Sequence, residues 1–168
     1  MQSYTIRRSF LAPLGILLLL TLLLFAVVLA QGQPTVKAVI LAILLVPVSA
    51  LFVESFFRRV GVDNEQVTVF KPFRQKSLRF AEITSVETIL VKKRAFITLS
   101  STESFLILSN AYAEFPEMVR NLLEKVPSES VTEETARMAE APPVKSSDIV
   151  SCWFAVVLMA IILVLQFV

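Results

Sequence analysis

Three long stretches without a charged side chain, at residues 10–31, 38–53 and 149–168, constrain this chain more than any other feature. A helix rises about 1.5 Å per residue, so about 20 apolar residues cross a hydrocarbon core of about 30 Å. The first and third stretches reach that length. The second has 16 uncharged residues, 38 to 53, and attains it with Phe56 and Phe57 at the interface. The chain is therefore expected to be an integral membrane protein with spans at about 10–31, 37–57 and 149–168. Arg7-Arg8-Ser9-Phe10-Leu11 has the form of a twin-arginine export signal, with Val28-Leu29-Ala30 as its cleavage site. Signal-peptide cores run about 7–15 residues, however, and this stretch is longer, Leu-rich and followed at once by a second apolar run. It reads as a span.

The lysines and arginines set the orientation. Arg7 and Arg8 precede the first span and Arg58 and Arg59 follow the second, whereas the connection between them holds only Lys37. This predicts a cytoplasmic N-terminus, a short outer hairpin, a cytoplasmic central domain and an outer C-terminus, in an inner or plasma membrane. Pro47 removes a helix donor from the second span. Glu54 and Arg58, four residues apart, suit an ion pair at the interface. The spans show no polar stripe or Gly-rich break, which argues against a transporter or channel core.

Chemistry-bearing patterns are scarce. The chain has no histidine, which removes His-based triads and His metal sites. Its single cysteine, Cys152, lies within the third apolar stretch, so it forms no intramolecular disulfide and has no histidine base beside it. Three glycines do not make a Gly-rich phosphate cradle, and Glu82, Glu87 and Glu103 lack metal-ligand spacing. A formal charge of +2 does not suggest a nucleic-acid partner. The expectation is a non-enzymatic protein without catalytic, metal or cofactor residues.

Between the second and third spans, short β-rich pieces alternate with turn signals. Val60 and Val62 flank Gly61, and Asp63-Asn64-Glu65 turns the chain. Gln66-Val67-Thr68-Val69-Phe70 alternates with period two, and Lys71-Pro72-Phe73-Arg74 is a turn with proline at its second position. Further strands are expected at 77–80, 84–91, 95–99 and 104–108, with Lys92-Lys93-Arg94 at a hairpin. Phe115, Met118, Val119, Leu122, Leu123 and Val126 then recur at helical spacing, and Pro116 fits only a first turn. The fold class is thus α+β: three transmembrane helices plus a small antiparallel sheet or barrel capped by an amphipathic helix.

About six strands and a closing helix resemble the bacterial pleckstrin-homology-like (PH-like) domain. Gly61-Val62-Asp63-Asn64-Glu65-Gln66-Val67-Thr68-Val69 is similar to its opening hairpin. Arg79-Phe80-Ala81-Glu82-Ile83-Thr84-Ser85-Val86 is similar to the aromatic–small–acid–Ile–x–x–Val step after its third strand. The resemblance covers about residues 58–126 and the preceding helix pair; the third span is less typical of the family. Together with the apolar runs and a shift toward Ser, Thr, Glu, Pro and Ala after residue 126, it gives the organisation 1–57 N-terminal segment and helical hairpin, 58–126 PH-like domain, 127–148 flexible linker and 149–168 final span. Within the linker, Ser130 and Glu133 suit a capping box for a short helix through Glu140. Basic residues near an early hairpin bind lipid headgroups in some members of that family. The corresponding contact residues here are Lys71, Arg74, Lys76 and Arg79, with Lys92, Lys93 and Arg94 on another hairpin. The expected partners are the lipid bilayer and a membrane protein, with anionic lipid as a further ligand. Two functions stay open at this stage. One is an interaction or assembly module at the cytoplasmic membrane face, binding through a sheet edge or the helix-side groove. The other is anionic-lipid sensing, or service as an accessory subunit of a transport complex.

Overall fold

The computed structural model describes residues 2–143 and 146–167, which fall into two compact units. In chain order the elements are β1 (Gln2–Thr5), α1 (Arg8–Ala30), α2 (Thr35–Phe57), β2 (Arg59–Val62), β3 (Gln66–Lys71), β4 (Arg74–Arg79), β5 (Ile83–Val91), β6 (Arg94–Ser101), β7 (Phe105–Ser109), α3 (Phe115–Leu123), α4 (Glu133–Glu140) and α5 (Ser147–Val164). Residues 8–56 and 146–167 form the helical unit; residues 2–7 and 57–143 form the sheet unit.

In the helical unit, α1, α2 and α5 are long and apolar enough to cross a membrane. α1 packs along α5. Its buried residues are Pro13, Leu14, Thr21, Leu24 and Val28, the last four at steps of seven, three and four, a seam that keeps one face on a neighbouring helix. Thr21 is fully buried, and its hydroxyl donates to the Leu17 carbonyl at 2.7 Å, which satisfies it in apolar surroundings. Cys152 and Val156, four residues apart, are the buried positions of α5. The side-chain amide of Gln31, just past α1, donates to the Gln166 carbonyl at 3.2 Å, just past α5. The C-terminal ends of the two helices therefore meet, and α1 and α5 run parallel. α2 buries no residue. Gly15 on α1 lies so close to the Phe52 ring that an added Cβ would approach it to 3.1 Å. Pro47 sits within the continuous α2 helix.

The sheet unit contains two antiparallel sheets in which every strand pairs with its neighbours in sequence: β1-β2-β3-β4 and β5-β6-β7. Alternation explains the registers. Val67 and Val69 are buried on β3, Ile97 and Leu99 on β6, and Leu106 and Leu108 on β7. α3 supplies the remaining apolar surface through Phe115, Met118, Val119 and Leu122, all at most 1% exposed. Pro116 occupies its first turn, where a missing amide hydrogen costs no helix bond. Glu114, immediately before it, adopts the left-handed conformation at φ 54°.

Two segments depart from the sequence reading. Residues 2–5, expected to be part of an N-terminal segment, form β1 and pair with β2 from Gln2↔Val62 to Thr5↔Arg59. Tyr4 is buried there, and its hydroxyl accepts a hydrogen bond at 2.6 Å from the Asn121 amide on α3. Burial, partly offset by that bond, and then the carboxylates of Glu117 and Glu114 push the Tyr4 phenol above its ordinary pKa. The second segment is 128–140, expected to be a short helix through Glu140 within a flexible linker rather than part of the sheet unit. It forms a 3₁₀ turn (Ser128–Ser130) and α4, and α4 contacts β5. Its N-cap is Thr132 rather than Ser130: the Thr132 hydroxyl accepts from the Thr135 amide at 3.4 Å, while Ser130 turns its hydroxyl back to the Pro127 carbonyl at 2.6 Å.

Candidate functional site

The sheet register divides the seven cations expected to form a contact surface. Lys71 and Arg74 stand directly opposite each other across the two-residue turn Pro72-Phe73, and Lys76 stands opposite Val69. Directly paired residues share a face, and successive residues alternate faces. Lys71, Arg74 and Lys76 therefore continue the same face as the buried Val67, Val69 and Leu78, beyond the end of the core. Like charges directly opposite each other repel. Lys76 also reaches the start of β7, its ammonium 4.8 Å from the centroid of the Phe105 ring.

Arg79 does not join them. It lies on the opposite face of β4, five residues or about 17 Å from Arg74. It approaches Glu82 at 4.0 Å, an exposed pair of small energetic weight. Lys92, Lys93 and Arg94 are also separate. Phe105, which Lys76 approaches, pairs with Ser100, six residues along β6 from Arg94, which places Phe105 about 20 Å from Arg94 in the strand direction. Lys92 takes a left-handed φ of 56°. Asn110, 4% exposed, donates its side-chain amide to the carbonyls of Lys93 (2.9 Å) and Pro143 (2.8 Å) and fixes the base of that turn.

Two apolar features accompany the cations. Phe73, at the tip of the β3–β4 turn, is 96% exposed. The outer face of the second sheet carries Ile89, Val91, Phe105 and Ile107, each close to half exposed. Ile89 pairs with Phe96, and Ile107 pairs with Thr98 on the next outward position of β6, which makes the patch continuous across three strands.

The free-edge site expected for an added partner strand is partly taken by the chain itself. Val131 forms a parallel bridge to Val86 on the outer edge of β5. The Thr132 amide and the Thr135 hydroxyl both donate to the Val86 carbonyl, at 3.2 and 3.1 Å. The Thr88 hydroxyl donates to that of Thr135 at 2.9 Å. On β1, the Thr5 carbonyl accepts from the Ala113 amide at 2.7 Å, and the Arg7 amide donates to the Ala111 carbonyl at 3.2 Å. Covering edges in this way blunts unwanted strand addition.

Tyr112 is a residue that periodicity does not reveal, because it lies in the turn region between β7 and α3. It is fully buried, its hydroxyl accepts from Arg58 Nε at 3.0 Å, and its carbonyl accepts from Arg7 Nε at 3.4 Å. The residues that follow β1 and precede β2 are thereby tied to one residue, Arg7 to its backbone and Arg58 to its side chain. Among the described residues, no three histidine, cysteine or acidic side chains gather in a way that could hold a metal ion. Comparison of the chain with family models, curated proteins and solved structures finds no match.

Proposed function

We propose that this chain is a three-span membrane protein whose sheet unit is a PH-like interaction or assembly module on the cytoplasmic face of the membrane, acting by binding rather than by catalysis. Support for the PH-like reading comes from the strand order, four strands then three, each antiparallel to its neighbour and followed by an amphipathic helix. Support for membrane anchorage comes from the three apolar helices. Arg7, Arg8, Arg58 and Arg59, at the ends of α1 and α2 that adjoin the sheet unit, favour the cytoplasmic side.

The observation that carries the binding function is the outer face of β5-β6-β7. Ile89, Val91, Phe105 and Ile107 form an apolar patch on a sheet whose opposite face already packs the core. Contiguous exposed apolar surface of this kind marks interaction sites. The partner is a membrane protein that covers this face. A photo-crosslinking side chain introduced at Ile107 of the full-length protein, in its native membranes, should give one dominant protein adduct. The same group at Glu124, on the exposed face at the end of α3, should not. Equal and diffuse labelling at both positions would count against the proposal.

A further inference from the structure

The segment that covers the outer edge of β5 stops short of the end of that strand. Val131 bridges Val86 and Thr135 bonds to Thr88, but Ile89, Leu90 and Val91 beyond them are each more than half exposed. Their backbone groups have a definite direction. Val91 and Arg94 pair across the two-residue turn Lys92-Lys93, so Val91, Ile89 and Glu87 aim their amides and carbonyls at β6. Val86, Thr88 and Leu90 aim theirs outward, as the Val86 carbonyl does in accepting from the Thr132 amide. Leu90 thus presents a donor and an acceptor on an apolar edge, the arrangement that receives another strand.

The charge pattern says which strand fits. An antiparallel copy of β5 centred on Leu90 sets Leu90 opposite Leu90 and Ile89 opposite Val91. It also brings each Glu87 to Lys93 of the other copy, and directly opposed residues share a face, so acid meets base there. A centre at Ile89 would set Glu87 against Val91 and bring the Lys92-Lys93 turn beside Val86, where Val131 already lies. A centre at Val91 would set Ile89 against Lys93 and shorten the ladder. Leu90 is the centre that matches charge with charge and apolar with apolar while leaving Val131 in place.

We infer that this edge is a self-association site: two copies pair β5 against β5 about a two-fold axis through Leu90, making β7-β6-β5-β5-β6-β7 one continuous antiparallel sheet. The inference concerns the sheet unit alone and goes beyond the partner proposed for its outer face. The contact is isologous and closes on itself, the commonest symmetry of soluble oligomers. Neighbouring antiparallel strands are related by an axis normal to the sheet, so both outer faces point the same way. Ile89 and Val91 of the two copies meet at the seam and join the two apolar patches into one. The dimer would offer a partner twice the surface of a single copy. Confinement of both copies to one membrane raises their effective concentration, which lets a short ladder suffice.

The test uses the full-length chain with its one cysteine removed by Cys152→Ser. A single cysteine is then introduced by Leu90→Cys, or by Glu124→Cys at the end of α3 as the control. Each protein is reconstituted into phosphatidylcholine vesicles at low protein density, where the chain is its own sole partner, and oxidised with copper phenanthroline. Directly paired residues lie within disulfide reach, so Leu90→Cys should form the linked dimer about fivefold faster than Glu124→Cys. Adding Glu87→Lys should bring the rate at position 90 down to that of the control, and adding Lys93→Glu to that variant should restore it. Trypsin resistance of the sheet unit shows that each variant is folded. Equal rates at positions 90 and 124 in folded protein would overturn the inference. A rate at position 90 that Glu87→Lys leaves unchanged would assign self-association to another surface, and would overturn it as well.

Discussion

Phe115→Ala should cost the sheet unit about 3–5 kcal/mol, the usual range for removing a buried aromatic side chain. Phe115 is 1% exposed and begins the apolar stripe of α3 that continues through Met118, Val119 and Leu122. A domain of this size has a total stability of about 5–15 kcal/mol, so the loss takes a large share of it. The expected outcome is a sheet unit cut by trypsin at low protease concentration, while the fragments containing α1, α2 and α5 stay with the membrane. A urea titration followed by proteolysis should show the midpoint moving by that free energy. A shift below about 1 kcal/mol would mean that α3 does not close the core in solution.

The second large effect concerns β1. Deleting residues 2–6 removes Tyr4 and Ile6, 3% and 5% exposed, each of which contributes about 1.5–3 kcal/mol by burial. It also strips the ladder from one edge of β2 and removes the hydrogen bond that the Thr5 carbonyl accepts from the Ala113 amide. The deleted protein should lose its cooperative unfolding transition. The converse experiment is sharper. Because Thr5 pairs with Arg59, a short turn joining Arg7 directly to Arg58 would turn the excised helices into an ordinary hairpin connection. That shortened chain, carried through residue 143, should be water-soluble and melt cooperatively, whereas a chain beginning at residue 58 should not. Equal stability of the two would remove β1 from the fold.

The same two elements show what the sequence reveals and why. β3 and β7 alternate, and α3 carries its stripe at offsets 0, 3, 4, 7, 8 and 11, so local periodicity was enough to find them. β1 has no such signal. It is four residues long, contains a single large apolar side chain, and pairs across two long helices with a partner more than 50 positions away. α4 was legible as a short helix but not as part of the core. Its docking depends on Thr132 and Thr135 meeting Val86 and Thr88, a contact between polar side chains that composition reads as linker. The contact residues were legible by type. The placement of Lys92-Lys93-Arg94 on another hairpin was legible as well; the separation of Arg79 was not, because it parts from Lys71, Arg74 and Lys76 only through strand register. Phe73 was legible as a turn residue, and only the three-dimensional structure reveals its exposed ring.

The interaction function is tested most directly by purifying the tagged full-length protein from chemically crosslinked native membranes in mild detergent and quantifying what accompanies it. The proposed module should bring down one membrane protein in near-stoichiometric amount, and Ile107→Asp should abolish the association while trypsin resistance of the sheet unit is retained. Recovery of the chain alone, under conditions in which the unit is folded, would contradict a binding role for the outer sheet face.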